Sequence, residues 1–204
     1  MNKIKKLLGG LLLAASACGL CSTAQAGVIQ IETNKSSYQH GELITATLRA
    51  SALSDVLTGF FLALQYQPAQ LALQNFSFGN GFDDGFGSYR FSAADQAGGS
   101  LALEEYADWA AALATLAAQQ NGSFILATIQ FKALGTGQFS LNLDPAYLGL
   151  LTAGGDLQTP DWLGASFDVT DGATVPAPAP LVLMSGLLLL LVRQRQSGQV
   201  SEQR

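Results

Sequence analysis

Residues able to carry nucleophilic or metal chemistry are sparse in this chain. His40 is the only histidine, and no Gly-x-Ser-x-Gly motif accompanies it. A Ser-His-Asp arrangement would depend on His40 alone, so a turn residue is the simpler interpretation. A zinc site built from several histidines is excluded for the same reason. We predict no catalytic residue, no metal site and no cofactor.

Two groups of carboxylates leave an enzymatic alternative open. They are Asp83 with Asp84, and Glu104 and Glu105 with Asp108. A glycosidase needs two carboxyl groups at a set separation across a cleft, which closeness in sequence does not supply. The stretch from Asn80 to Gly85 lacks the alternating oxygen ligands of an EF-hand loop, so a solvated acidic loop and weak calcium binding are both retained.

The stretch from Phe76 to Phe91 combines aromatic residues with glycines, and we interpret it as a long loop. On the surface its rings would offer a platform to a sugar or to a partner protein. Turned inward, they would anchor the loop to the core instead. The residues predicted to bind a ligand are Phe82, Phe86, Tyr89 and Arg90, with exposure expected above all for Tyr89 and Arg90.

The charge distribution argues against nucleic acid as a partner. Residues 27–178 carry 4 basic residues against 14 acidic ones, a net charge of −10. Such a domain is repelled by phosphate backbones. With 49% hydrophobic and only 12% charged residues, the chain is also unlike a disordered protein.

The first 26 residues have the pattern of a secretory signal. Three lysines precede the apolar run from Leu7 to Ala17, and Ala24-Gln25-Ala26 supplies a small-x-small cleavage pattern. We predict a signal peptide over 1–26, cleaved between Ala26 and Gly27, with a lipoprotein signal or a membrane anchor as alternatives. Its removal would take away both cysteines, leaving a mature protein without disulfides or thiols: Cys18 and Cys21.

Residues 173–204 have a second targeting pattern, in which Val175, Pro176, Ala177 and Pro178 precede an apolar run over 181–192 and a basic tail over 193–204. A helix over that run covers only ~18 Å of a ~30 Å hydrocarbon core. The order resembles the PEP-CTERM sorting signal of Gram-negative bacteria, with Ala177 in place of the usual Glu. The resemblance implies an exosortase-type sorting enzyme as a partner and transient or permanent attachment to the membrane through the C-terminal helix. A plain C-terminal anchor is the alternative.

Between the two ends, over 27–172, apolar residues recur at every second position, which is typical of half-buried antiparallel strands. We predict strands over Leu43 to Ala50, Thr58 to Tyr66 and Phe124 to Ala133, and further ones around Phe139 to Leu143 and Leu163 to Val169. The glycines of Gly135-Thr136-Gly137 predict a hairpin between two of them. Many short strands with glycine-rich turns favour an all-β sandwich or jelly roll.

One segment departs from this alternation. From Glu105 to Gln120, large apolar residues recur at intervals of three and four, which predicts one short helix: Tyr106, Trp109, Leu113 and Leu116. Acidic residues near its start would complement the helix dipole, and Asn121-Gly122 would end it.

The order of motifs in the middle of the chain resembles that of cohesin domains. Gly59-Phe60-Phe61-Leu62-Ala63-Leu64-Gln65-Tyr66-Gln67-Pro68 continues to Leu71, and a late strand reads Leu126-Ala127-Thr128-Ile129-Gln130-Phe131-Lys132-Ala133. Gln67 stands where the family has Asp. The resemblance implies a jelly-roll sandwich of about nine strands, similar in fold to a family of carbohydrate-binding modules. Cohesins bind dockerin modules through one sheet face, and no motif here assigns residues to that contact.

The favoured hypothesis is an exported, non-enzymatic binding module. It would mediate adhesion to an extracellular protein or polysaccharide, at the cell envelope, on the outer surface or in the extracellular matrix. One alternative is a polysaccharide-acting enzyme or accessory protein that uses the loop carboxylates, and a purely structural role in a surface layer is another.

Overall fold

The structure is a computed structural model that describes residues 27–172. The predicted signal peptide, sorting motif, apolar helix and basic tail lie outside the described residues. In chain order the elements are β1 (Val28–Thr33), β2 (Ser37–Gln39), β3 (Leu43–Ser51), β4 (Leu57–Gln65), β5 (Leu71–Phe78), β6 (Ser88–Asp95), β7 (Ser100–Ala107), α1 (Leu113–Gln119), β8 (Ser123–Ala133), β9 (Gly137–Thr152), β10 (Leu157–Gln158), β11 (Asp161–Leu163) and β12 (Ala165–Thr170).

The strands form two sheets with a shared core. The smaller sheet has the order β11-β1-β3-β8-β5, and the larger has the order β2-β12-β9-β4-β7-β6 with β10 paired to β9. Nine strands have six residues or more, and three have two or three. The predicted all-β sandwich with one short helix is therefore confirmed.

The core follows from the alternation in the sequence. Ile44, Ala46, Leu48 and Ala50 of β3 are fully buried, and the intervening residues point outward. Phe60, Leu62 and Leu64 of β4 face them from the other sheet. Each fully buried large apolar side chain contributes about 1.5–3 kcal/mol relative to an exposed one. The core therefore does not require a disulfide or a metal.

The predicted helix is shorter than its periodicity indicated. Glu105 and Tyr106 belong to β7, and only Leu113–Gln119 is helical, with Leu116 buried. The prediction failed because Glu105 occupies an inward position of the strand, where the series Leu101, Leu103 calls for an apolar residue. Because a charged residue interrupts the apolar alternation of β7, the helical spacing of three and four residues was the more regular pattern.

The predicted hairpin at Gly135-Thr136-Gly137 is also wrong. β8 pairs with β3 and β5 in the smaller sheet, whereas β9 pairs with β4 and β12 in the larger one. The connection therefore crosses from one sheet to the other. Positive φ at Gly137 allows this change of direction, because the left-handed region costs glycine little.

The predicted loop from Phe76 to Phe91 is shorter than expected, because strand residues occupy both of its ends. β5 runs to Phe78 and β6 begins at Ser88, so the loop is only 79–87. The start of β4 is held beside this loop by Gln120. The buried side-chain amide of Gln120 accepts from the Leu57 nitrogen at 2.8 Å and donates to the carbonyls of Leu57 and Gly81. These bonds fix the end of α1 against the loop and β4.

Candidate binding surface

The outer face of the larger sheet carries a group of aromatic residues around one carboxylate. In one row across the sheet, Phe91 of β6 is paired with Glu104 of β7, and Glu104 is paired with Phe61 of β4. The next row places Tyr89 beside Tyr106. Because side chains on paired residues share a face, these rings lie together on the side of the sheet away from the core. With Tyr147 of β9, these residues form what we call the aromatic face: Phe61, Tyr89, Phe91, Glu104, Tyr106 and Tyr147.

Two glycines leave room for rings of this face. A Cβ atom at Gly149 would lie 2.4 Å from Cζ of Phe61, and one at Gly59 would lie 2.4 Å from Cδ1 of Tyr106. Neither glycine has positive φ, so these positions require glycine for space and not for backbone conformation. The rings therefore lie close against the backbone of the neighbouring strand.

Tyr147 reaches Glu104 because β9 bulges. Between the pairs Leu62–Leu148 and Leu64–Leu143, four residues of β9 stand opposite a single residue of β4. Asp144 stabilises the bulge by accepting from the Ala146 nitrogen at 2.9 Å. The ring of Tyr147 packs edge-on against Phe61, with centroids 5.3 Å apart.

Both oxygens of the Glu104 carboxylate accept hydrogen bonds from tyrosines. The Tyr106 hydroxyl donates to Oε2 at 3.0 Å, and the Tyr147 hydroxyl donates to Oε1. Burial, followed by the hydrogen bond to Glu104, raises the pKa of Tyr106 to about 12. The hydrogen bond to Glu104 also raises the pKa of Tyr147. Both phenols therefore stay protonated and hold the carboxylate in one orientation at neutral pH.

The edge strand β6, which carries Tyr89 and Phe91, is tied to the interior by Arg90. Its Nε donates to Glu105 Oε1 at 2.8 Å, and its Nη2 donates to the Gly79 carbonyl at the end of β5. Glu105 is fully buried and also accepts from the Ser88 hydroxyl at 2.6 Å. Arg90 thus bridges the two sheets along the edge where β5 and β6 face each other.

The predicted ligand-binding residues divide into three kinds. Phe82 is fully buried against Phe60 and Phe124, which corrects the expectation that it contacts a ligand. Phe86 and Tyr89 are exposed, by 82% and 51%. Arg90 is half exposed and donates to Glu105, so its contacts in the structure hold β6 in place.

The acidic residues do not converge on a common cleft. Glu104 and Glu105 are neighbours in one strand, so their side chains point to opposite faces of the sheet. Asp83 accepts from the nitrogens of Gly85 and Gly87 at 2.9 Å, and these bonds lower the pKa of its carboxyl. Asp84 accepts from the Ala112 nitrogen at 2.7 Å. Each of these two aspartates therefore organises the loop locally.

Two further findings concern the described residues 27–172. No group of three or more His, Cys, Asp and Glu residues is arranged to hold a metal ion there. No helix within that range is long and apolar enough to cross a membrane. His40 lies in the turn before β3, with Nε2 3.1 Å from the Leu134 carbonyl oxygen.

Sequence reasoning missed most of the aromatic face. Phe61 lies in the cohesin-like motif and Glu104 is one of the candidate carboxylates, but the sequence does not show that they share a row with Phe91. Trp109 was assigned to a helix, yet it is 90% exposed in the turn after β7. The available signal was the alternation Tyr89, Phe91, Ala93, which predicts a strand whose aromatic side is separate from the core.

The fold agrees with that of solved cohesin structures. A type II cohesin from the cellulosome of Acetivibrio cellulolyticus matches with a TM-score of 0.58 and 18% sequence identity, over 69% of this chain and 94% of that one. A cohesin module from a Clostridium perfringens family 33 glycoside hydrolase matches with a TM-score of 0.57 and 12% identity, over 72% and 98%. The chain has a cohesin-like fold. A third match, with a TM-score of 0.57 and 15% identity over 71% and 99%, is an Acetivibrio cellulolyticus type II cohesin solved in complex with X-dockerin.

Sequence comparison does not place the chain in a family. No family model matches the chain, and no curated protein matches it. The likeness of fold confirms the predicted cohesin-like architecture and leaves the function to be argued from the surface.

Proposed function

We propose that this protein is a non-enzymatic binding module that docks an extracellular protein through its aromatic face. The observation that carries the proposal is the exposure of Phe91, at 57%, beside Tyr89 on a face that has no part in the core. Exposed aromatic residues gathered on one face are typical of protein interfaces, where they supply much of the binding energy. One of the matched cohesins was itself solved with a protein module, X-dockerin.

The geometry of the face supports a protein ligand over a flat sugar chain. The rings of Phe61 and Tyr147 are inclined at 63°, so they do not share a plane on which successive sugars could stack. A protein surface can fill the space between inclined rings with its own side chains.

The face can be tested against the opposite side of the sandwich. On the smaller sheet, Thr47 of β3 is paired with Thr128 of β8 and with Glu32 of β1, and we call this surface the polar face. The full-length chain, purified in mild detergent and immobilised, would be exposed to the extracellular proteins of the same cells. We expect a retained protein whose affinity falls about thirtyfold or more for Phe91→Ala, by analogy with central aromatic residues of interfaces.

The matched control is Thr47→Ala, which removes an outward side chain from the polar face and should leave the affinity unchanged. Retention that survives Phe91→Ala, or that is lost equally in Thr47→Ala, would exclude docking at the aromatic face.

A polysaccharide ligand is the second candidate, and the exposure of Trp109 favours it. Trp109 and Phe86 are 90% and 82% exposed and lie on neighbouring loops, which are joined by the bond from Ala112 to Asp84. Exposed indole and phenyl faces can bind sugar rings. A polysaccharide array would show binding that is lost in Trp109→Ala and kept in Phe91→Ala, if sugars are bound by these loops.

We further propose that the chain is exported by residues 1–26 and sorted by residues 173–204. The support is the order of the sequence patterns, including the motif Val175, Pro176, Ala177 and Pro178 and the arginines that follow. In this proposal an exosortase-type enzyme reads the tail, and the membrane holds it at least transiently. Deleting 175–204 should move the protein from the membrane fraction to the medium, and an unchanged distribution would refute the sorting role.

A further inference from the structure

The aromatic face contains a small cavity beside Glu104. It has a volume of about 130 Å³ and opens on the edge of the larger sheet, and its lining comprises Phe91, Ser92, Ala93, Ala102, Glu104 and Tyr147. A cavity of this size accepts the end of one side chain and excludes a folded element. Its lining combines one carboxylate, the aromatic rings of Phe91 and Tyr147, and small residues.

The Glu104 carboxylate lacks a cationic partner within residues 27–172. Ion pairs in that range join Lys35 to Glu42, Arg49 to Glu32 and Arg90 to Glu105. The two tyrosine hydroxyls fix the orientation of Glu104 but bring no full positive charge. A carboxylate has about four lone-pair sites, so two bonds leave room for further donors.

The aromatic residues that line the cavity suit a cation, as the Glu104 carboxylate does. The rings of Phe91 and Tyr147 both contribute to the lining. A guanidinium or ammonium group gains about 0.5–2 kcal/mol over an aromatic ring when it is partly desolvated. A guanidinium can also bind a carboxylate through two parallel hydrogen bonds while it stacks on a ring.

The charge of the domain selects the same kind of partner. Between residues 27 and 178 there are 14 acidic and 4 basic residues, and three of those bases are already in ion pairs. A domain with this excess of negative charge attracts a basic segment and repels an acidic one. A second copy of this chain would carry the same charge and is disfavoured.

We propose that the cavity beside Glu104 receives an arginine or lysine side chain of the docked partner. This inference rests on the proposed docking function, because the cavity is part of the aromatic face. It adds the chemistry of the partner: a basic side chain flanked by residues that can pack on Phe91 and Phe61. The carboxylate sets the charge that is accepted, and the rings set the shape.

The proposal can be tested without the partner, using two small probes of nearly the same shape, one cationic and one neutral. Acetyl-arginine methylamide and its neutral isostere acetyl-citrulline methylamide would be titrated into the full-length chain with ¹³C-labelled phenylalanine and tyrosine. We expect the arginine probe to shift the ring signals of Phe91 and Tyr147, with the citrulline probe binding about tenfold more weakly. The preference should disappear in Glu104→Gln, and Glu32→Gln on the polar face should preserve it.

Each outcome has a distinct meaning. Equal binding of the two probes, or no shift of the cavity rings, would overturn the basic side-chain pocket. Arginine-selective shifts together with protein capture that survives Phe91→Ala would keep the pocket and refute the docking function. Capture lost in Phe91→Ala but unchanged in Glu104→Gln would keep the docking function and refute the pocket.

Discussion

The two outer faces of the sandwich belong to sheets with the same alternation, yet they are composed very differently. The polar face pairs Thr45 with Gln130 and Thr47 with Thr128, with threonines and charged residues that face water readily. The aromatic face places Phe91 and Phe61 on either side of Glu104. Since the polar face shows what stability alone requires of an outward surface, the rings on the other side call for a different explanation, and binding supplies it.

The two faces also differ in how their charges are held. Arg49 and Glu32 on the polar face are both substantially exposed, whereas Glu105 behind the aromatic face is completely buried against Arg90. An exposed pair contributes little, because water screens it. Removing Arg90 is costly although Arg90 itself is half exposed, because the fully buried Glu105 carboxylate loses its only cationic partner among the described residues.

The largest effect is therefore expected for Arg90→Ala. It should lower the free energy of unfolding by about 3 kcal/mol, because Glu105 would stay buried without its partner. Urea denaturation followed by circular dichroism would measure the loss. The matched change Arg49→Ala should cost no more than about 1 kcal/mol.

A second variant separates charge from packing at this site. Combining Arg90→Ala with Glu105→Leu should recover most of the stability, since no buried charge remains. Equal losses for Arg90→Ala and Arg49→Ala would show that the two ion pairs do not differ as the structure indicates.

An intermediate effect is expected when the space that Gly149 leaves for the Phe61 ring is filled. Gly149→Ala should destabilise the fold by about 1–3 kcal/mol, because the new methyl group would overlap the ring. The control is Gly135→Ala, where the nearest atom, in Gln70, would be 3.4 Å away and φ is not positive. That change should stay within about 0.5 kcal/mol. If thermal unfolding showed the same midpoint for both variants, Phe61 would not be packed on Gly149.

The smallest effect concerns the tyrosines. Tyr106 has its pKa raised to about 12, so it stays protonated in the folded state while an unfolded tyrosine ionises near pH 10. The stability linked to this group is therefore fully present below pH 10 and is lost as the pH rises toward about 12. Absorbance at 295 nm should show the late ionisation.

The same titration connects the tyrosines to Glu104. In Glu104→Gln, Tyr106 and Tyr147 should ionise at lower pH, although burial should keep Tyr106 above its ordinary value. A titration curve unaffected by Glu104→Gln would mean that these hydroxyls do not donate to the carboxylate. The residues that define the polar face include no tyrosine, so they contribute nothing to the absorbance at 295 nm.

How much was predictable depended on whether a residue faced the core. β3, β4 and β8 were located from their sequences to within a residue or so, because burying every second side chain imposes a period of two. β6 was predicted to be a loop, because its aromatic residues face outward and the glycines before it are typical of turns. β7 was partly read as a helix because Glu105 interrupts its apolar side.

The sequence by itself determined the all-β class, the acidic surface charge and the main core strands, because all three depend on composition and short-range periodicity. Only the tertiary structure decided that Phe91, Glu104 and Phe61 form one row, since pairing between distant strands fixes that register. It also decided that Phe82 is buried and Phe86 is exposed, although they are four residues apart in one loop. Local patterns cannot settle such positions, because the side on which a loop residue packs depends on which distant elements lie beneath it.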